Sequence, residues 1–240
     1  MRVEPAGGGL WVAGGLAAPG ALIDLHAHTR HKSMDSGLAP EVLAERTKAR
    51  GLSAVCITEH NNMWTAAEAA ALAEEHEIPV LRGMEVSTDA GHVLVFGVER
   101  HTLEMWRLER LRAICDAEGG VMVLAHPTRS TGFGRPWQEA PVLFAALEGA
   151  NGDDSPWGRA LALELAGAVG LPATGGSDAH SAPAVGRCAT LFDHPIASER
   201  DLIAALRRGR LWPVEMTAAG CLQVVGAHSQ PDGTVWRSTP

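Results

Sequence analysis

The chain of 240 residues contains no tyrosine, and its four phenylalanines and seven tryptophans are the whole aromatic complement, 5% of the sequence. Little ring surface is left for stacking against unpaired bases. Positive charge is also short: Lys and Arg total 20 against 28 Asp and Glu, a formal charge of −8. Such a chain has no broad attraction for nucleic acid or for anionic membranes. An anionic substrate would have to be held locally, by cations or by a few placed arginines. The four cysteines, Cys56, Cys115, Cys188 and Cys221, are widely spaced and form no Cys-x-x-Cys pair. The first three sit in apolar surroundings, which reads as buried free thiols in a reduced compartment rather than a disulfide framework. No apolar run approaches the roughly 18 residues of a membrane span. Residues 1–20 are rich in Gly and Ala but broken and interrupted by Glu4, a poor signal peptide. The expected location is therefore cytoplasmic.

What is present is apolar and alternating. With 46% hydrophobic residues, a chain of this length can close one full core. Short β-branched runs mark strands at about 21–26, 54–58, 79–87, 92–98, 121–126, 172–178, 188–192 and 211–215. Between them lie helical stretches at about 39–50, 64–76, 102–118, 138–146, 157–169 and 198–208. Alternation of this kind implies βα units around a parallel sheet, and the number of repeats favours a closed barrel. No repeat, charge block or low-complexity linker divides the chain. The expected organisation is an N-terminal arm over 1–20, one barrel domain over 21–215, and an extension over 216–240 that forms an edge hairpin or is partly disordered.

The eleven histidines are informative through their position relative to these strands. His26 and His28 follow the first strand in "DLHAHT", and His60 follows the second in "ITEHN". Glu85 ends the third in "GMEVS", with His92 just after it in "DAGHVLVFG". His126 ends a strand in "LAHP", and Asp178 and His180 end a late one in "GGSDAH". In a parallel barrel all the carboxyl ends of the strands meet on one face, where active sites are built. In extended backbone, His26 and His28 point the same way, as do Asp178 and His180. Each element alone has an ordinary structural reading: a satisfied core histidine, a helix cap, a strand-edge residue. Repeated at successive strand ends, imidazole and carboxylate are the ligand set of Zn²⁺, Mn²⁺ and Fe²⁺. His31, His76, His101, His194 and His228 read as surface or loop positions.

With these motifs in order, residues 22–192 resemble the PHP superfamily, named for polymerase and histidinol phosphatase. Its His-x-His motif corresponds to "DLHAHT", its Thr-Asp-His to "ITEHN", its Gly-x-Glu to "GMEVS", its Ala-His-Pro to "LAHP" and its Ser-Asp-x-His to "GGSDAH". "ALEGANG" resembles the family's Glu-x-x-Asn-Gly stretch. The resemblance implies a distorted, seven-stranded βα (TIM-like) barrel with two or three divalent transition-metal ions (Zn, Mn or Fe) at its carboxyl-end face. By the same resemblance His26, His28, Glu85 and Asp178 hold the first ion. Glu85 bridges to a second, held by His126 with His92, and Asp35, His60 and His180 hold a third. The second motif departs from the family: Glu59 stands where Asp is usual, reaching about one methylene further.

The expected activity is hydrolysis of a small phosphate ester by a metal-bridging hydroxide, since clustered cations lower the pKa of water and take up charge on phosphate oxygens. Glu85, Asp178 and His180 are the expected catalytic residues, and His180 or a water on the third metal could supply the proton or cation that the leaving group needs. Arg129 and Arg187 follow the motif strands and could grip the phosphate in a fork. Asn61 and Asn151 are weaker candidates for the same mouth. The Gly-rich loop 128–137 could carry Arg135 or Trp137 to the substrate. Two other readings of the same ligands are a metal-dependent hydrolase of a C–N or acyl bond, and a non-catalytic metal-binding regulatory module.

Overall fold

The computed structural model describes residues 20–216 in full, with Val225 and the backbone of short strands in the flanking segments. The expected arm and C-terminal extension otherwise lie outside the described residues. Nine strands form the body: β1 (Leu22–Asp24), β2 (Ala54–His60), β3 (Val80–Thr88), β4 (Gly91–Phe96), β5 (Val121–Leu124), β6 (Ala146–Asn151), β7 (Ala173–Gly176), β8 (Cys188–Phe192) and β9 (Leu211–Met216). Six helices lie between them: α1 (Pro40–Ala49), α2 (Ala66–His76), α3 (Leu108–Glu118), α4 (Ala140–Leu143), α5 (Pro156–Val169) and α6 (Glu199–Arg208). Their limits follow ordinary chemistry. Thr65 and Glu68 make a reciprocal capping box at α2, and Ser155 and Ser198 cap α5 and α6. Left-handed Gly119, Gly170 and Gly209 end α3, α5 and α6.

The strand order is β9-β8-β1-β2-β3-β4-β5-β6-β7. β1, β2 and β3 are parallel, as are β5, β6 and β7, while β3-β4-β5 is an antiparallel meander. β7 returns to the start of the sheet. The Thr190 hydroxyl on β8 bonds both the N–H and the carbonyl of Gly175, each at 2.8 Å. The residues beyond β1 and β7 pair in parallel at Ala27 and Ala179. The sheet is thus a nearly closed barrel, in line with the expected βα architecture, but with nine strands where the resemblance implied seven, because β8 and β9 add an antiparallel pair beside β1. The strand that sequence patterning misses is β6: "ALEGAN" carries Gly, Glu and Asn and reads as the loop after a helix, yet all six residues are buried.

The expected helix over 138–146 is accordingly shorter, a 3₁₀ turn at Trp137–Glu139 followed by α4. Apolar side chains fill both sides of the wall. Ile23, Cys56, Leu94, Phe96 and Val123 join Leu202 and Leu206 of α6 in one buried cluster. Outside, α3 and α5 pack on Val93, Val95 and Leu147, and α1 and α2 on Val55 and Ile57. Cys56, Cys115 and Cys188 are buried free thiols, and burial pushes all three up from their ordinary range. Among the described residues no helix is long and apolar enough to cross a membrane.

Barrel closure depends on backbone approach at Gly175, where an added Cβ would stand 2.2 Å from the Ala189 carbonyl oxygen. Backbone on both sides cannot yield as a side-chain tip could. Gly175→Ala is expected to cost about 3 kcal/mol, a fall in melting temperature of roughly 6–12 °C. Gly167→Ala, where nothing lies within 4 Å of the new methyl, should be neutral or stabilising by about 0.5–1 kcal/mol. Thermal unfolding of the two variants checks the contrast.

Candidate metal centre

The backbone pairing that closes the barrel also places the first ligands. The Asp178 N–H bonds the His26 carbonyl at 2.7 Å, and the His28 N–H bonds the Ala179 carbonyl at 3.0 Å. The segments 26–28 and 178–180 therefore run side by side. Ala27 and Ala179 turn into the packing against α1, while the two histidine–partner pairs turn to the other side, as period-two alternation requires. His126 and Asp178 both have positive φ, 22° and 51°, a costly conformation for these residues that clusters at functional sites. Gly176 is another local requirement: a Cβ there would stand 2.4 Å from that of His26 and 2.8 Å from Glu148 Oε1.

Glu85 lies at the centre, 1% exposed. Its Oε1 is 2.8 Å from His126 Nε2 and 2.9 Å from His92 Nδ1. Its Oε2 is 2.8 Å from His60 Nδ1, 3.4 Å from His28 Nε2 and 3.6 Å from His26 Nε2. Asp178 Oδ1 lies 3.2 Å from His28 Nε2 and 3.4 Å from His26 Nε2. Asp35, on the loop after the first motif, reaches His60 Nε2 at 3.0 Å and His180 Nε2 at 3.5 Å. All nine ligand candidates named from the sequence thus converge. Four overlapping trios have ligand atoms within 4.8 Å of one another: His28–His60–His180, His26–His28–Glu85, His26–His126–Asp178 and Glu85–His92–His126. His26, His28, Glu85 and Asp178 are buried, while His60, His92, His180 and Asp35 form a more open rim.

Two buried residues outside the expected ligand set orient this cluster: Glu148, not among the candidate residues, and Asn151, expected at the mouth. Glu148 Oε1 lies 2.9 Å from His26 Nδ1, and its Oε2 accepts the His126 N–H at 2.9 Å. It sits on β6, so missing that strand hid it; the Glu-x-x-Asn pattern of "ALEGAN" was the available signal. Asn151, at the end of the same strand, donates to Glu148 and Asp178. Arg129 does not reach outward. Its Nε donates to Asp154 at 2.6 Å, Nη1 to Asp178 Oδ2 at 2.8 Å and Nη2 to Asn151 at 2.8 Å. It fixes the outer oxygen of Asp178 and leaves Oδ1 facing the histidines. Arg187 is exposed, on the turn before β8, and its side chain has no ion pair among the described residues. Arg135 is held by Glu109 of α3, and Trp137 packs on Phe133. His31 turns away to Glu68 and Trp64. Asn61 bonds Ser87 through both its oxygen and its nitrogen.

The site is electrostatically primed for cations. Burial would raise Glu85, but His26, His126 and His60 outweigh it and hold the carboxyl well below its usual range. Burial would likewise raise Asp178, and the imidazoles of His26 and His28 hold it well below. Burial would lower His26, yet Asp178, Glu148 and Glu85 together raise it well above the ordinary imidazole value. His28 is lowered, by burial first and then by His26 and His60, against the pull of Asp178 and Glu85. Among the described residues, the buried atoms His26 Nε2, His28 Nε2, Glu85 Oε2 and His126 Nδ1 have no partner in hydrogen-bonding geometry, close as the neighbouring ligand atoms stand. Buried polar atoms are seldom left so. Imidazole nitrogens and carboxylate oxygens aimed at one another in a buried pocket fit divalent transition ions.

The PHP domain model matches residues 24–128 and the PHP-associated model matches residues 156–211. The chain belongs to the PHP family. Within it, the chain is 37% identical over 83 residues to a 3′,5′-nucleoside bisphosphate phosphatase of Chromobacterium violaceum; the match covers 33% of this chain and 28% of that protein. PsfC of Pseudomonas syringae shares the fold with a TM-score of 0.62 at 22% identity, over 84% of this chain and 93% of that one. A two-domain Bacteroides vulgatus protein, described as containing a predicted PHP-like metal-dependent phosphoesterase, superimposes with a TM-score of 0.59 at 19% identity, over 81% and 64%.

Protons and cations compete for the same atoms in the PHP cluster. Against the effect of burial, the carboxylates of Asp178, Glu148 and Glu85 favour the protonated ring of His26, so a proton competes with a cation for its Nε2. Raising the pH removes the competitor, and affinity for Mn²⁺ or Zn²⁺ is expected to rise with pH through neutrality. Calorimetry of the metal-free protein in buffers of different ionisation enthalpy should show net proton release on binding. Binding with no proton release and no pH dependence would contradict this protonation state.

Proposed function

We propose that the protein is a metal-dependent phosphoesterase that acts on a small anionic phosphate ester with two or three divalent ions, Zn, Mn or Fe. The observation that carries this reading is the sharing of ligands: Glu85, His26, His28 and His126 each belong to two of the four trios found among the described residues. Adjacent sites with common ligands suit a multinuclear centre rather than one isolated ion. In this reading His26, His28, Glu85 and Asp178 hold one ion, Glu85 with His92 and His126 a second, and Asp35, His60 and His180 a third. Bound divalent ions supply water activation at neutral pH and Lewis-acid stabilisation of phosphate oxygens.

The protein's own groups set the geometry. Glu148 fixes His26, since a carboxylate on Nδ1 leaves Nε2 to face the centre. Arg129 fixes Asp178 from behind. His180 Nδ1 lies 3.0 Å from the Asp178 carbonyl oxygen, so it donates there and turns the Nε2 lone pair inward. That suits a ligand better than the proton donor expected from sequence. With Arg129 engaged inside, Arg187 is the one of the two expected phosphate-gripping arginines left without an ion pair among the described residues. The phosphatase relative supports a phosphate monoester as substrate.

Phosphate release from p-nitrophenyl phosphate, its bis ester and a 3′,5′-nucleoside bisphosphate tests the proposal. The metal-loaded protein is expected to hydrolyse a monoester, to lose that activity to a chelator and to regain it with Mn²⁺ or Zn²⁺. His26→Ala should lose metal and at least about 100-fold in rate, the scale expected when charge stabilisation at the reacting group is removed. A protein that binds two or three ions and cleaves none of these esters would refute the phosphoesterase reading.

A further inference from the structure

A buried network on the far side of His28 has no part in the ligand set described above. Glu59, the residue that replaces the family's usual Asp, is completely buried. Its Oε1 accepts from the Thr29 hydroxyl at 2.5 Å and from the Trp64 indole N–H at 2.9 Å. Its Oε2 accepts from the Ser33 hydroxyl at 2.5 Å and from the Thr29 N–H at 3.0 Å. Four donors on two oxygens make this carboxylate an acceptor only. The consequence falls on Ser33. Its one proton is committed to Glu59, so its oxygen has only lone pairs to offer elsewhere. One of them takes the His60 N–H at 3.2 Å, and the oxygen faces His28 Nδ1 at 3.4 Å. An acceptor in that position requires the proton on Nδ1 and leaves the lone pair on Nε2.

We propose that Glu59 acts through Ser33 as a positioning pair that holds His28 in the Nδ1–H tautomer and aims its Nε2 lone pair at Glu85 and Asp178. The inference rests on the reading of the histidine cluster as a cation site. It parallels the direct contact between Glu148 and His26, with a serine inserted because Glu59 lies one side chain further off. Metal-binding histidines generally have the other ring nitrogen fixed by such a partner. The network also explains the longer side chain at 59. From β2 it must span to Ser33 and Thr29 on the first loop and to Trp64 at the entry to α2. Ser33 lies two residues before Asp35 and also receives the His60 N–H, so the same contacts register the loop that completes the rim.

The test uses the full chain, uniformly ¹⁵N-labelled and stripped of metal. Long-range ¹H–¹⁵N correlation spectra report which ring nitrogen of each histidine is protonated, and His28→Gln assigns the signal. The wild type is expected to show His28 protonated at Nδ1. Ser33→Ala and the isosteric Glu59→Gln should both shift the population towards Nε2–H. They should also weaken Mn²⁺ or Zn²⁺ binding about 10-fold or more, the usual loss for such a partner. Ser33→Thr keeps the hydroxyl and should restore the Nδ1–H signal. Trp64→Phe removes a donor from the opposite oxygen of Glu59 and should leave the tautomer unchanged. An unaltered His28 tautomer with unaltered metal affinity in both Ser33→Ala and Glu59→Gln overturns the relay. A wild type that takes up no metal defeats the cation reading instead, and the metal-free spectra still decide the relay. Should Ser33→Ala fail to fold, the comparison of Glu59→Gln with Trp64→Phe carries the same decision.

Discussion

A single buried carboxylate with imidazoles converging on both its oxygens is the constraint around which this protein is organised. Glu85 could not be ionised in a dry interior without compensating charge. The histidines could not be gathered so closely without an anion between them. Asp178 supplies a second negative centre, and Glu148 a third on the far side of His26. Each carboxylate is expensive alone, and the cluster is tolerable because imidazoles, His26 above all, hold Glu85 and Asp178 ionised. The missing partners, on His26 Nε2, His28 Nε2 and Glu85 Oε2, are on the inward-facing atoms. Electrostatic compensation among the residues is therefore incomplete in the one place where a divalent ion would finish it.

The barrel answers that constraint. Ligands come from the ends of β2, β3, β4, β5 and the segments after β1 and β7, so no local stretch could assemble the centre. The antiparallel meander β3-β4-β5 interrupts the parallel order and serves it, because it sets His92 of β4 opposite Ser87 of β3, two residues past Glu85. Thr190 and the Ala27–Ala179 bridge then bring the last strand to the first. This closure fixes the separation of Asp178 from His26 and His28. Stability at the β7–β8 seam and ligand geometry are consequently the same physical problem, which is why glycine is needed at both 175 and 176.

Most of this was legible in the sequence because ligand-type residues follow apolar strands, and strand ends in a βα barrel share a face. His26, His28, His60, Glu85, His92, His126, Asp178, His180 and Asp35 were all named that way or through the family's motifs, and all converge. Orientation was not legible. Arg129 looked like a phosphate grip because it follows "AHP", yet Asp154, Asn151 and Asp178 lie close enough to take all three of its nitrogens. Periodicity gives no information on such pairings between distant loops. Glu148 was hidden for a different reason. Its strand breaks the apolar pattern with the very carboxylate that the site requires, so functional chemistry erased the structural signal.

The substitution at 59 shows how far motif matching can carry an argument. As a letter, Glu for Asp is a departure that weakens a match. In three dimensions its carboxylate collects four donors from the first loop and from the entry to α2. A shorter side chain would leave some of those donors buried and unmatched, at a cost of about 1–3 kcal/mol each. Glu59, Ser33, Thr29 and Trp64 therefore form one unit whose members constrain each other's length. That unit touches the inner set at His28 through Ser33, and it meets the rim through the His60 N–H and the loop that carries Asp35. His26 is set by strand pairing and by Glu148, while His28 and the rim residue Asp35 face or belong to a loop held by Glu59. The rim is thus the part of the centre that side-chain changes can adjust without disturbing the barrel.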